Sequence, residues 1–190
     1  ATKAETAGNA DWVICENTSG TPLRFPSPNQ TSVTATTPET FWRGGLSSWG
    51  IALAKEGHYV ETLAPGASIT YGNTSNAQDL SKFDVYIVDE PNILFTAAQK
   101  TAIMNFVKNG GGLFMIADHT VSDRNNDGSD SPKIWNDLVT NNTVQTNLFG
   151  LAVELTNISQ TTTNVLVDPT NTILNGSQGA VSKLIFHNGA

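Results

Sequence analysis

The fold is decided by residues 83–138, which read FDVYIVDEPN (83–92), ILFTAAQKTAIMNFVKNGGG (93–112), LFMIADHT (113–120) and VSDRNNDGSDSPKIWNDL (121–138). The β-branched and aromatic run Val85–Val88 predicts a strand that is buried on both faces, as parallel sheets require. Thr96 and Gln99 form a capping-box pair, so a helix is predicted to begin there and to end at the glycines of positions 110–112. Leu113–Ala117 is then a second strand. A strand, a crossover helix and a strand predict parallel pairing with a right-handed connection.

The segments on either side continue the alternation of helices and strands. Upstream, apolar residues recur at three- and four-residue steps, which predicts an amphipathic helix from Glu39 or Thr40 to a glycine cap at Gly57. Downstream, Ser131-Pro132 begins a helix that ends at Asn141-Asn142. The remaining predictions are strands at His58–Leu63, Ile69–Tyr71, Leu151–Leu155, Asn164–Val167 and Val181–Phe186, with a turn at Ile173–Gly176.

Together these elements predict one α/β domain over residues 1–190, with a flavodoxin-like, open and mostly parallel sheet, helices on both faces and a short N-terminal hairpin. The hairpin joins Trp12–Cys15 to Leu23–Phe25. A doubly wound fold normally opens with an apolar strand that leads into its first helix. That strand is either Trp12–Cys15 or a segment upstream of Ala1, and we therefore expect a module of a longer protein.

Composition excludes several classes of partner. The net charge is −7, with 10 Lys and Arg residues and no basic run, so nucleic acid and anionic membranes are not expected partners. No apolar run approaches the length of a membrane span. The single cysteine, Cys15, excludes an internal disulfide and a cysteine-based zinc site. Loops rich in Thr, Asn, Ser and Gly are typical of secreted or surface-exposed bacterial proteins, which is the predicted location.

An acidic loop follows the second strand and resembles the front half of a calcium-binding loop. Its sequence DRNNDGSD (123–130) fits the pattern D-x-N-x-D-G, in which alternate oxygens converge and the glycine allows a sharp bend. Ile134 occupies the position where an EF-hand has its bidentate Glu, and a strand precedes the loop, so an EF-hand is excluded. Calcium is the expected ion, and the predicted ligands are Asp123, Asn125, Asp127, Asp130 and the carbonyl oxygen of Ser129.

Two other interpretations of this loop stay open. Asn and Asp side chains in turns often bind their own backbone, which would make the loop an Asx-rich turn without a metal. Alternatively, its carboxylates take part in catalysis, and the loop is the centre of a hydrolase that uses another divalent metal. In each case Arg124 could hold one of the carboxylates in place.

Ionisable residues also lie where the two central strands end. Ligands of open parallel sheets bind at the carboxyl ends of the strands, so Glu90, Asp118 and His119 are the predicted catalytic residues. Strand alternation sends Asp89 and Glu90 to opposite sides, so at most one of them is expected to face a common cleft. Glu90 and His119 would form an acid–base or metal-binding pair. Alternatively, these residues have a structural role, in which their side chains cap the segments that follow the strands. The tryptophans Trp42, Trp49 and Trp135 are expected in the core or in cleft walls.

The central unit resembles the class I glutamine amidotransferase-like superfamily, in particular its trehalose-utilisation (ThuA-like) branch. The similar stretches are residues 83–120, the earlier SSWGIALAKEGHYVETL (47–63) and the later DPTNTILNG (168–176). The resemblance implies a flavodoxin-like sheet and a nucleophilic cysteine in the turn after Leu113–Ala117. That turn contains no cysteine here, so cysteine-dependent glutaminase chemistry is not expected. His119 matches a histidine that ThuA-like relatives often keep.

The sequence thus predicts a secreted amidotransferase-like domain with a bound cation beside a polar cleft. A hydrolase of a carbohydrate-like or other polar substrate would use Glu90 or His119 as base, with Asp118 or Asp123 orienting it or holding the metal. The main alternative is a non-catalytic binding or scaffold module of a larger surface protein, since the expected nucleophile is missing.

Overall fold

A computed structural model of the chain describes residues 13–145, 149–162, 170, 172, 175–177 and 179–189. Within this part the fold is mixed α/β. The helices are α1 (Ser47–Lys55), α2 (Ala97–Lys108) and α3 (Ser131–Thr140), and short 3-10 turns lie at Gln30–Ser32, Glu39–Phe41 and Leu80–Lys82. The strands are β1 (Val85–Asp89), β2 (Gly112–Ile116), β3 (Ile158–Thr162), β4 (Asn175–Gly176), β5 (Gly179–Ala180) and β6 (Leu184–Gly189).

The predicted parallel pair of central strands is confirmed. β1 and β2 pair in parallel, with Val85 opposite Gly112 and Asp89 opposite Ile116. Tyr86 and Val88 point to one face of this sheet, where they are buried with residues of α2 and α3 in the main core. Trp49 of α1 packs edge-on against Phe114 on the opposite face, with ring centroids 5.6 Å apart. The helices α1 and α2 therefore lie on opposite faces of the sheet that β1 and β2 form.

The helix α2 and the glycines after it follow the sequence prediction closely. Thr96 and Gln99 form a complete capping box, and buried Ile103 and Phe106 face the core. Gly110 has a φ of +97°, which glycine adopts without strain. A side chain on Gly111 would collide with the ring of Phe106, because its Cβ would lie 2.2 Å from a ring carbon. The glycines thus let the chain turn sharply off α2 and enter β2.

The first helix begins later than predicted. α1 starts at Ser47, and Glu39–Phe41 forms a separate 3-10 turn. Gly44 interrupts the helical path with a φ of +135°, and a Cβ there would lie 2.2 Å from the carbonyl oxygen of Val13. This close approach of two backbone segments explains the break. Trp42 and Trp135 are buried in the core as expected.

Several predicted strands are wrong. His58–Leu63, Ile69–Tyr71 and Leu151–Leu155 belong to no sheet of the described structure. A strand that the sequence analysis did not predict, β3, follows at Ile158–Thr162 and pairs antiparallel with β6. β6 itself begins at Leu184, three residues after the predicted start at Val181. The predicted strand Asn164–Val167 and the first half of the turn at 173–176 lie outside the described residues.

The predicted N-terminal hairpin is reduced to a tight turn. One isolated bridge joins Glu16 and Pro22, and the side chain of Asn17 accepts hydrogen bonds from the backbone of Ser19 and Thr21. The described part of Trp12–Cys15 does not join the parallel sheet. That sheet has two strands in the described part of the chain, so the wider open sheet stays a prediction. No helix there is long and apolar enough to cross a membrane.

Candidate functional site

The candidate site lies where β1 and β2 end, at the same edge of the sheet. The backbone N–H of Glu90 donates to the carbonyl oxygen of Ile116 at 3.1 Å, which extends the parallel ladder by one bond. The backbone N–H of Asp118 donates to Ser131 Oγ at 2.9 Å, which ties the end of β2 to the start of α3. The two predicted catalytic carboxylates are therefore held at neighbouring strand ends.

Arg124 connects these two carboxylates. Its Nη2 lies 2.9 Å from Glu90 Oε2 and 3.6 Å from Asp118 Oδ2. The backbone N–H of Arg124 also donates to Asn92 Oδ1 at 3.2 Å, so the loop after β2 is attached to the segment after β1. The positive guanidinium offsets the repulsion between the two negative side chains.

His119 joins the same group through Asp118. Its Nε2 lies 3.7 Å from Asp118 Oδ2, and its Nδ1 lies 2.6 Å from the carbonyl oxygen of Thr120. A carbonyl oxygen only accepts hydrogen bonds, so Nδ1 carries the hydrogen and Nε2 of the neutral ring carries the lone pair. Ser122 Oγ donates to the same oxygen of Asp118 at 3.0 Å. The side chain of His119 is one-third exposed, so the imidazole ring is partly open to solvent.

Asp89 belongs to this cluster, although the sequence analysis favoured Glu90 over it. It is 6% exposed, and burial together with the negative charges of Glu90 and Asp118 raises its pKa from 3.8 to about 6. The guanidinium of Arg124 opposes this shift. Glu90 has a φ of +40° and leaves the strand geometry, so alternation along β1 does not determine the side on which its carboxylate lies. No feature of the sequence signals that positive φ.

Asn92 is a second residue that the sequence analysis did not single out. It is 1% exposed, its Oδ1 accepts from Arg124, and its carbonyl oxygen accepts from Asn125 Nδ2 at 2.9 Å. Its Nδ2 has no hydrogen-bond partner within the part of the chain that the structure describes. The only feature of the sequence that could have pointed to Asn92 was its position directly after the Asp-Glu-Pro turn.

The side-chain oxygens of the acidic loop accept hydrogen bonds from N–H groups of the same loop. Asp123 accepts from the backbone N–H of Asp127 at 3.1 Å and of Gly128 at 2.7 Å, one on each carboxylate oxygen. Asp127 accepts from the backbone N–H of Ser129 at 2.8 Å and from Asn125 Nδ2 at 3.0 Å. Asn125 Oδ1 accepts weakly from the backbone N–H of Asp127 at 3.3 Å. This is the pattern of consecutive Asx turns.

Asp130 has a different role from the rest of the loop. It caps α3, where its Oδ1 accepts from the backbone N–H of Lys133, and its Oδ2 accepts from the backbone N–H of Val121 at 2.8 Å. It is 2% exposed. Among the described residues no group of three or more His, Cys, Asp and Glu side chains could hold a metal ion. The oxygens of the loop are of the type that calcium prefers, and calcium stays a prediction.

The fold and the site define a class of protein: a mixed α/β domain with an ionisable cluster at the carboxyl ends of two parallel strands. Comparisons of the chain with protein-family models, with curated proteins and with solved structures find no match. The resemblance to amidotransferase-like proteins therefore stays a prediction that rests on the motifs given above.

Proposed function

We propose that this chain is a hydrolase domain that acts on a polar, carbohydrate-like substrate by general acid–base catalysis at the ends of β1 and β2. The observation that carries this proposal is the continuous series of contacts from Glu90 through Arg124 and Asp118 to His119. Carboxylates, an imidazole and a guanidinium in contact at strand ends are the groups that proton transfer and polar recognition require.

The contacts favour a specific role for each group. His119 acts as the base through Nε2, since Nδ1 is engaged with the Thr120 carbonyl, and Asp118 stabilises the imidazolium that forms. Glu90 pairs with Arg124 and orients the substrate. Asp89, whose pKa is raised to about 6, is the proton donor, and it fills this role most fully at pH 6 and below. The substrate therefore meets an acid, a base and a cationic donor within one cluster.

The proposal also includes a fold family and the kind of chemistry that this family would carry out here. We place the chain in an amidotransferase-like, flavodoxin-like class that works without a nucleophilic cysteine. Burial raises the pKa of Cys15, and its Sγ donates to the carbonyl oxygen of Leu23, which is the environment of an inert thiol. The secreted or cell-surface setting is proposed from the loop composition alone.

Calcium binding is part of the same proposal. Asp123, Asn125, Asp127 and the Ser129 carbonyl would hold the ion, which would stabilise the loop that carries Arg124. Because the side-chain oxygens of this set already accept hydrogen bonds, the ion would have to use their remaining lone pairs or replace those bonds. No catalytic step depends on it.

The test is hydrolysis of a panel of nitrophenyl glycosides and esters by the purified chain. His119→Ala should reduce turnover at least about 100-fold, the range expected for removal of an acid–base group. Glu90→Gln, which weakens the group that orients the substrate, should also reduce turnover. His58→Ala and Asp84→Asn, which change exposed residues away from the cluster, should leave it unchanged. Melting curves of all four variants establish that they fold. Full turnover in the Glu90→Gln/His119→Ala double variant would contradict the proposal.

A non-catalytic binding or scaffold module is the second candidate. The observation that favours it is that polar groups of the site already have partners within the chain. Arg124 pairs with two carboxylates, and the side chains of the acidic loop accept hydrogen bonds from the loop's own backbone. This candidate predicts that the same double variant keeps its affinity for a bound sugar, measured by calorimetry. Loss of a measured turnover in that variant would exclude it.

A further inference from the structure

A cavity of about 370 Å³ lies between α1, β1 and residues 58–63. Asp89 lines this cavity and also belongs to the ionisable cluster, where the charges of Glu90 and Asp118 act on its carboxyl group. None of the other described residues of the cluster lines the cavity. Asp89 is therefore the residue at which the cavity and the cluster meet.

The side chain of Asp89 is directed toward this cavity by the alternation along β1. Val85, Ile87 and Asp89 point to one side of the strand, because every second residue of a strand faces the same side. Ile87 pairs with Phe114 in the parallel register, and the ring of Phe114 packs against Trp49 of α1. Trp49 also lines the cavity. The carboxyl group of Asp89 therefore lies on the α1 side of the sheet, where the cavity is.

Asp89 differs in its hydrogen bonds from the other two buried aspartates of the described chain. Asp79 accepts hydrogen bonds from three backbone N–H groups and two hydroxyl groups. Asp130 accepts them from the backbone N–H groups of Val121 and Lys133. The carboxyl group of Asp89 has no hydrogen-bond partner among the described residues. A buried polar group without a partner costs free energy, so a purely structural carboxyl group is expected to have such bonds.

The rest of the lining determines what kind of group fits the cavity. Its apolar members include Leu46, Trp49, Leu53, Val60, Leu63 and Leu80. The polar side chains of Glu61 and Gln78 are already paired, since Gln78 Nε2 donates to Glu61 Oε2 at 2.9 Å and Glu61 forms an ion pair with Arg24. The cavity therefore suits an uncharged, mainly apolar group, and its volume lies at the lower end of the range for sites of small organic molecules.

We propose that this cavity binds the leaving group of the substrate, and that the leaving group is an uncharged alcohol with an apolar ring or chain. This inference rests on the proposed function. A proton donor must lie within hydrogen-bond reach of the oxygen atom that it protonates, so an acid that faces the cavity protonates a leaving group inside it. The polar part of the substrate then meets Glu90, Arg124 and His119 outside the cavity. The substrate class is a glycoside or ester of an apolar alcohol.

The reaction then divides between the two sides of Asp89. Asp89 gives its proton to the leaving oxygen as the bond from that oxygen to the anomeric or carbonyl carbon breaks. A water molecule forms the new bond to this carbon and loses a proton to Nε2 of His119. The products are the free alcohol and the sugar or carboxylic acid. Return of the proton from His119 through solvent to Asp89 restores the starting state.

Binding of the alcohol alone is the first test, and it does not require turnover. In calorimetric titrations of the full chain at pH 6, benzyl alcohol should bind at least about tenfold more tightly than glycerol or benzoate. Val85→Trp narrows the cavity from a position of β1 that is 56% exposed, and it should weaken this binding at least about tenfold. Val181→Trp changes an exposed valine that does not line the cavity, and this matched control should bind like the parent. Melting curves establish folding, and Leu53→Trp repeats the test from the wall formed by α1.

The second test compares benzyl and methyl substrates, since these two alcohols are similarly poor leaving groups. The parent should hydrolyse the benzyl glycoside or ester with a kcat/KM at least about tenfold above that of the methyl compound. Val85→Trp should remove this preference by reducing the benzyl value alone, whereas His119→Ala should reduce both values. Asp89→Asn should slow the benzyl substrate more than a nitrophenyl one, because nitrophenolate leaves without being protonated.

These measurements separate the leaving-group inference from the proposed function. Turnover that depends on His119, with a benzyl-to-methyl ratio that Val85→Trp does not change, would overturn the inference and leave the proposed function intact. Absence of turnover with both substrates would contradict the proposed function and the leaving-group role together, even where benzyl alcohol binds. Equal binding of the three compounds would overturn the inference directly. Benzyl alcohol that acts only by shifting a monomer–dimer equilibrium, measured by sedimentation, would assign the cavity to a second copy of the chain instead.

Discussion

The guanidinium of Arg124 lies 2.9 Å from the carboxylate of Glu90, although 34 positions separate the two residues in the sequence. This contact joins the loop after β2 to the end of β1. It also brings a positive charge into a cluster that otherwise holds the carboxyl groups of Asp89, Glu90 and Asp118. Together with the hydrogen bonds to Asn92, the ion pair holds the loop at the end of β1.

Removal of Arg124 should destabilise the protein. In Arg124→Ala the partly buried carboxylates of Glu90 and Asp118 lose their counter-charge, and we expect a loss of about 1–2 kcal/mol in the free energy of unfolding. Urea denaturation at pH 7 measures it. The matched control is Arg43→Ala, which removes an exposed arginine and should cost less than about 0.5 kcal/mol. Equal effects of the two changes would contradict this role for Arg124.

Asp89 should make stability depend on pH. Its pKa is raised from 3.8 to about 6 in the folded state, so ionisation is disfavoured by folding. The stability associated with its neutral form is fully present below pH 3.8 and is lost as the pH rises through about 6, a change of about 2–3 kcal/mol. Asp89→Asn should remove this loss and be more stable than the parent at pH 7. Urea titrations of both proteins between pH 4 and 8 provide the measurement, and parallel curves would refute the prediction.

Val121 should be a site of backbone strain. It has a φ of +59°, which a β-branched residue rarely adopts, and its side chain is 85% exposed and buries little apolar surface. Val121→Gly should therefore stabilise the protein by about 1 kcal/mol. Val121→Ala, which keeps the unfavourable φ but removes the branching, is the control and should give a smaller gain. A lower melting temperature for the glycine variant would show that the strain is absent.

Calcium should raise the melting temperature of the chain. If the acidic loop binds the ion, EDTA should lower the melting temperature of protein purified without chelator, and calcium should restore it. Asp127→Ala should abolish this response, whereas Asp84→Asn, an exposed acidic residue outside the loop, should leave it intact. Elemental analysis should give about one calcium per chain. Zinc or manganese instead would favour the metallohydrolase alternative, and no metal with no EDTA effect would exclude the cation site.

Much of the candidate site could be predicted from the sequence, because parallel strands end at one edge of a sheet. Glu90, Asp118 and His119 were assigned to that edge from strand ends alone, and the structure does bring them together through Arg124. Asp89 was set aside because simple alternation was assumed to continue through Glu90. A single positive φ overrides that rule, and such a value depends on packing around the turn rather than on local preference.

The sequence by itself determined the central unit of this protein: the β-branched run, the capping box and the glycine exit are local signals that specify β1, α2 and β2 in order. Only the tertiary structure decided what the polar residues do. Asp130 caps α3, Asp123 and Asp127 bond the backbone of their own loop, and residues 58–63 stay outside any described sheet. The physical reason is that strand pairing and side-chain hydrogen bonds depend on which residues the tertiary fold brings next to each other. Periodicity and propensity along the chain do not contain that information.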